Sequence, residues 1–173
     1  MGSLLSWIKT NSDKASDGAD PATIGVSTRT DGTQRTFTET LLKTVVAEVF
    51  TSGGSPKILM VGAAGKQKVS TFAGIAGQRF QAPANRPTTI IGAADVYMSD
   101  FGTMSVVPNR FMRARDALIL DPEYAALAYL RPFATNELAK AGDADKTQIL
   151  AEVTLEVKNE AAHGIVADLD MSL

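Results

Sequence analysis

Apolar and polar positions change their period along this chain, and the changes mark its elements. Residues 4–10, LLSWIKT, read as the end or edge of a helix. Residues 11–35 are rich in Ser, Thr, Gly and Asp and predict a long loop with a short strand at 23–26. Thr36-Phe37-Thr38-Glu39 then has capping-box spacing. Phe37, Leu41, Val45 and Val49 recur behind it, with Leu42, Val46 and Phe50 beside them, which is the wide stripe of a core-facing helix. Gly53, Gly54 and Pro56 stop that helix. Residues 57–61 form a short apolar strand, and Gly62 turns the chain into a second helix over 64–72, with Val69 and Phe72 inward. Residues 74–89 are broken by Gly74, Gly77, Pro83 and Pro87 and predict an exposed loop.

The second half is strand-like. Residues 90–107 predict strands joined around Asp100-Phe101-Gly102, 117–120 a further strand, 121–123 a turn and 125–133 another strand. Residues 139–147 form a polar loop. Ile149, Ala151, Val153, Leu155 and Val157 then alternate with Leu150, Glu152, Thr154, Glu156 and Lys158. That period of two predicts a strand with one buried apolar face and one solvated face. Residues 159–164 bend, and 165–169 form a closing strand. Helices and strands alternate only once, so the fold class is α+β and not a doubly wound parallel sheet.

Composition narrows the function classes. At 173 residues the chain suits one domain or two intimate lobes. It has no cysteine, which excludes disulfides, thiolate metal sites and cysteine nucleophiles, and its single histidine excludes a two-histidine metal site. No run approaches the ~20 apolar residues of a membrane span. The net charge of −2 argues against a general nucleic-acid binder. The charge is nevertheless segregated: residues 54–115 carry eight Lys or Arg against two acids, and residues 116–173 carry eleven acids against four bases. Ordinary solvated surface gives such a split; so do unlike faces that meet between neighbouring copies.

Catalytic motifs come back empty. Gly62-Ala63-Ala64-Gly65-Lys66 joins a strand to a helix as a phosphate loop does, but Met60 stands where the first glycine belongs and Gln67 where the metal-binding hydroxyl belongs. The segment reads as a tight strand–helix turn, with a generic anion site at that helix start as the alternative. Asp100-Phe101-Gly102 matches a kinase triplet by letters only and reads as a hairpin turn. Asp143 and Asp145, with Asp121 and Glu123, lack the third acid and the glycine of a calcium loop. His163 reads as a bend residue bonded to backbone, and Trp7 as a packing anchor. No catalytic, cofactor-binding or metal-binding residue is assigned, and no cofactor is expected.

Several stretches, in order, resemble the major capsid proteins of tailed double-stranded-DNA bacteriophages: SDFGTMSVVPNRFM (99–112), ALILDPEYAALAYLRPF (117–133), LAKAGDADKTQ (138–148) and EVTLEVKNEAAHGIVADL (152–169). LLSWIKTN (4–11) and FTETLLKTVVAEVFTSGGSPKILMVG (37–62) are similar too. The resemblance implies the Hong Kong-phage-type capsid fold, which encapsulins share. An axial lobe would comprise residues 36–133, with mixed sheet and two helices. A peripheral lobe of long antiparallel strands would comprise 1–35 and 134–173. Family members are longer at the N-terminus, so the chain resembles a C-terminal portion without the arm, the extended loop and most of the long spine helix. The implied function is that of a non-enzymatic structural subunit. It self-assembles into hexamers and pentamers of an icosahedral virion shell, inside the host bacterial cytoplasm. Its implied partners are copies of itself, packaged double-stranded DNA without sequence readout, and scaffold, portal or decoration proteins, with no membrane. An encapsulin-like cargo shell and a small α+β anion-binding domain using Gly62–Lys66 are the alternatives. The charge split points to Arg79, Phe80, Arg86, Arg110, Arg113 and Arg115 as inter-subunit contacts, meeting Glu137, Asp143 and Asp145 on a neighbour.

Overall fold

The computed structural model describes residues 2–72, 95–140 and 142–172. Its body is a mixed sheet of β1 (Ser12–Asp13), β9 (Gly164–Val166), β6 (Ala117–Leu120), β3 (Ile58–Val61), β5 (Gly102–Pro108) and β4 (Val96–Ser99), in that order across the sheet. β3 runs parallel to β5 and β1 parallel to β9; the remaining pairs are antiparallel. A small second sheet pairs β2 (Arg35–Thr36) with β10 (Leu169–Asp170). The fold class is α+β, as the pattern predicted.

The period of two in the central strands sorts side chains into two layers. Leu59 and Val61 of β3, with Ala117 and Ile119 of β6, face the larger cluster under α2 (Glu39–Thr51) and α3 (Ala63–Val69). Ile58 and Met60, with Leu118 and Leu120, face a smaller cluster capped by Leu4, Leu5 and Ile8 from α1 (Leu4–Trp7) and the residue after it. All four residues of β6 are therefore buried, as a strand covered on both faces requires. Leu42, Val45, Val46 and Val49 of α2 are fully buried, and Phe37 closes the layer edge-on against Phe72 at 5.2 Å. Phe50, at the margin of the stripe, is half exposed and stacks on Phe101 at 4.8 Å.

Three local expectations change. Residues 23–26 form a turn, not a strand: Ser27 N–H donates to Thr23 O at 3.0 Å, and Gly25, at φ 75°, donates to Ser6 O. The extended pairing is instead an isolated bridge between Ala19 and Thr30. The helix is capped by Thr38, whose hydroxyl accepts from Leu41 N, and not by Thr36. Thr36 is held in β2 opposite Asp170, which moves the helix start two residues on. The closing strand at 165–169 is split into β9 and β10, because Asp168 adopts a left-handed φ of 57°.

The long alternating strand becomes β8 (Thr147–Val157), paired antiparallel with β7 (Ala125–Glu137) in a ribbon that has no third strand among the described residues. β1 and β9 join the sheet built on β3 and β6, and β7 runs on without a break from residue 125 to residue 137.

Candidate assembly surface

The register of the ribbon shows how its faces differ. Leu127 opposes Leu155 and Tyr129 opposes Val153, so these four side chains share one face with Ile149, which opposes Thr135. The other face carries Ala126 with Glu156, Ala128 with Thr154, and an Arg131–Glu152 ion pair. Register shifts follow Tyr129 and Arg131. Leu130 and Phe133 lie at these irregularities, 82% and 73% exposed. The apolar face was expected to be buried, yet Ile149 is 69% exposed, and Leu127, Tyr129 and Val153 are also uncovered. At 13 and 11 residues the strands reach roughly 40 Å.

The root of the ribbon is firmly tied to the body. Asp121 Oδ1 accepts from Glu123 N and its Oδ2 from Ser55 N at 2.9 Å, where the chain enters β7. Asn159 caps the turn after β8 through Ala161 N. His163 lies beneath both turns, fully buried, its Nδ1 accepting from Asp121 N at 3.2 Å. Burial pushes its imidazole below the ordinary value, against raising effects from the Tyr124 backbone, Asp121 and Glu160. Asn11 Nδ2 adds bonds to Ala161 O at 2.6 Å and His163 O at 3.1 Å. The histidine is a backbone-bonded bend residue, as its sequence context implied.

The nine candidate contacts divide by environment. Arg79, Phe80 and Arg86 lie outside the described residues. Arg113 pairs with Asp31 and Asp116, and Arg115 with Asp168 at 3.1 Å, Asp31 and the Gly32 carbonyl, so both pin the 14–34 loop within the subunit. Arg110 is exposed and makes no ion pair among the described residues. Glu137, Asp143 and Asp145 gather at the far end of the ribbon, where Asp145 pairs with Lys140 at 2.7 Å. Phe111, beside Arg110, is 89% exposed and was not singled out in the sequence; the turn residues after Pro108 were its only signal.

The anion-site reading loses its cation. Lys66 Nζ turns to the Val106 carbonyl at 2.8 Å and to Asp95 at 3.1 Å, along the sheet and away from the start of its own seven-residue helix. Among the described residues no group of three acidic or histidine side chains could hold a metal ion. Asp121 and Glu123 serve as a cap and as the partner of Lys57. A shallow groove between α2 and the N-terminal segment is lined by Thr10, Asn11, Thr44, Glu48, Thr51 and Ser52. Its one ionisable group, Glu48, is raised by burial and by Asp13. What the molecule offers its surroundings is thus a long ribbon with one uncovered apolar face and segregated charge.

No curated protein matches the chain. A family model described as SU10 major capsid protein matches residues 1–170. The match spans nearly the whole chain and agrees with the resemblance carried by its phrases. The chain belongs to this family of structural bacteriophage capsid proteins.

Proposed function

We propose that this chain builds the wall of an icosahedral virion shell, joining copies of itself in hexamers and pentamers that enclose double-stranded DNA. The observation that carries the reading is the uncovered apolar face of the β7–β8 ribbon in a member of a capsid family. Burying such surface is favourable by about 25 cal/mol per Å2, and large exposed apolar patches mark docking surfaces. Contacts between unlike patches close into rings, and many weak contacts made together hold a shell. On this reading the sheet-based body serves as the axial lobe and the ribbon as the core of the peripheral lobe. With a net charge of −2 the chain has no strong overall attraction for phosphate, and on this reading packaged duplex is held without sequence readout and remains free to slide. Assembly takes place in the host bacterial cytoplasm, with scaffold, portal or decoration proteins as further partners.

Electron microscopy and light scattering of the purified protein test the proposal. The unaltered chain should form closed particles. The double substitution Ile149→Lys and Val153→Lys should leave soluble subunits with an unchanged far-UV circular dichroism spectrum. Undiminished particles from that variant, or an unaltered protein that stays monomeric at every concentration, would sink the reading.

A further inference from the structure

The turn between β5 and β6 presents an exposed aromatic ring, with beside it a cation that makes no ion pair among the described residues. Asn109 fixes the turn. Its N–H donates to Val61 O at 2.8 Å, its Oδ1 accepts from Phe111 N at 3.0 Å and its carbonyl from Met112 N at 3.1 Å. Met112 packs onto the smaller core cluster, and Arg113 is tied to Asp31 and Asp116, so the turn is anchored at both ends. Between those anchors Arg110 is exposed and unpaired among the described residues, and Phe111 is 89% exposed. Arginine and aromatic side chains dominate binding hot spots. A pair held on a fixed turn loses little conformational freedom on docking.

We propose that Arg110 and Phe111 form the anchor by which one copy grips the ribbon end of a second copy. This rests on the capsid-subunit reading and names its two mating surfaces. Charge and chemistry select the occupant. Residues 137–146 carry three acids against two bases. Lys140 is neutralised by Asp145, leaving Glu137 and Asp143 against Lys146. Beside them Leu138 is an uncovered apolar side chain, 47% exposed. An apolar side chain on a ribbon end of net charge −1, whose Glu137 and Asp143 make no ion pair among the described residues, complements a phenyl ring beside a guanidinium. Both surfaces are exposed in the single subunit, so they are available to a neighbour. Because the two patches differ, the contact is head-to-tail and propagates around a ring.

The test is assembly of the full chain followed by sedimentation and light scattering. Arg110→Glu and Phe111→Ala should each raise the subunit concentration needed for half-assembly by about tenfold or more, with circular dichroism unchanged. Adding Glu137→Lys and Asp143→Lys to Arg110→Glu restores opposite signs at every contact and should recover most of that loss. If Arg110→Glu disturbs folding, Arg110→Gln and Phe111→Ala carry the same comparison. Normal assembly of the single variants, or no recovery in the combined charge swap, overturns the anchor while leaving the capsid reading standing. An unaltered protein that never assembles overturns both.

Discussion

Gly164 is where β9 comes closest to α2. A methyl group there would lie 2.5 Å from Val45 Cγ1 and 2.8 Å from Val49 Cγ2, and both valines are fully buried. Neither has room to retreat in a close-packed interior. Gly164→Ala should therefore destabilise the body by about 1–3 kcal/mol, read as a lower urea midpoint at unchanged slope. Its neighbour His163 gives a second residue-scale expectation. Because burial holds the folded imidazole below 6.5, the unfolded chain takes up a proton first as pH falls. Stability from this group is complete above pH 6.5 and declines below it until the folded imidazole titrates. As the chain's single histidine, it alone is expected to produce such a slope near neutrality. His163→Gln retains an acceptor for the Asp121 N–H and should flatten the profile of urea midpoints between about pH 7 and about pH 5.5. A flat profile in the unaltered protein would contradict this account. The spacing of residues announced a bend at His163, but not that the bend lies at the root of the ribbon, under the turns that lead into β7 and out of β8.

Among the elements, the long loop between β1 and β2 departs furthest from its sequence signal. Its composition predicted irregular backbone, and the backbone is irregular, yet it is closely tied down. Asp168 Oδ1 accepts from Gly32 N at 2.8 Å and its Oδ2 from Ala15 N at 3.2 Å. Asp17 accepts from the backbone and hydroxyl of Thr33, and Asp20 binds Ser12, Lys14 and the deeply buried Arg29. These bonds join positions up to 153 apart in sequence, so no local period could reveal them. By contrast α2, β3, β6 and β8 were legible, because burial of one stripe or of alternate side chains writes its own period. The helix cap was displaced because β10, a remote strand, claims Thr36. The loop's carboxylates also set its response to acid. Hydrogen bonds from the Thr33 side chain and backbone lower Asp17, and the Arg113 bond lowers Asp31. Burial raises Asp20, but Lys14, Ser12 and Arg29 together outweigh it. With folded values below 3.8, their contribution is full above that pH and is lost as acidification passes through the lowered values. Trp7 reports the event, because Gly25 of the loop packs on its ring and the chain has no other tryptophan. Its emission should hold to about pH 4 and shift only below that. Asp20→Asn, which weakens the hold on Arg29, should cost about 1–3 kcal/mol and bring the shift to higher pH. Release of Trp7 well above pH 4 in the unaltered protein would count against the carboxylate ties.

At the scale of the molecule, a well-packed body carries a ribbon whose strands have no other ladder partner among the described residues. The alternation from Ile149 to Val157 was plain in the sequence and predicted a buried face; what covers that face lay beyond any single-chain pattern. Two-stranded ribbons are at best marginally stable in water without a layer beneath them. The clamp of Asp121, Asn159, His163 and Asn11 supports the root, while the outer half from Leu130 to Ile149 is supported chiefly by its own ladder. Local stability should therefore fall along the ribbon from root to end, whereas β3 and β6 share the global stability of the body. Hydrogen exchange resolves the two regimes. In unassembled subunits, amides of residues 130–137 and 147–151 should exchange at least about a hundredfold faster than those of β6, since a difference of about 2.7 kcal/mol gives that ratio. In assembled particles the gap should close, because covering the apolar face ties opening of the ribbon to dissociation of the contact. Equal protection of ribbon and β6 in free subunits would mean that the outer ribbon already has enough support within the chain. Persistent fast exchange in particles would mean that the apolar face is not where copies meet, and the drive for assembly would then have to come from the charged and aromatic surfaces of the body.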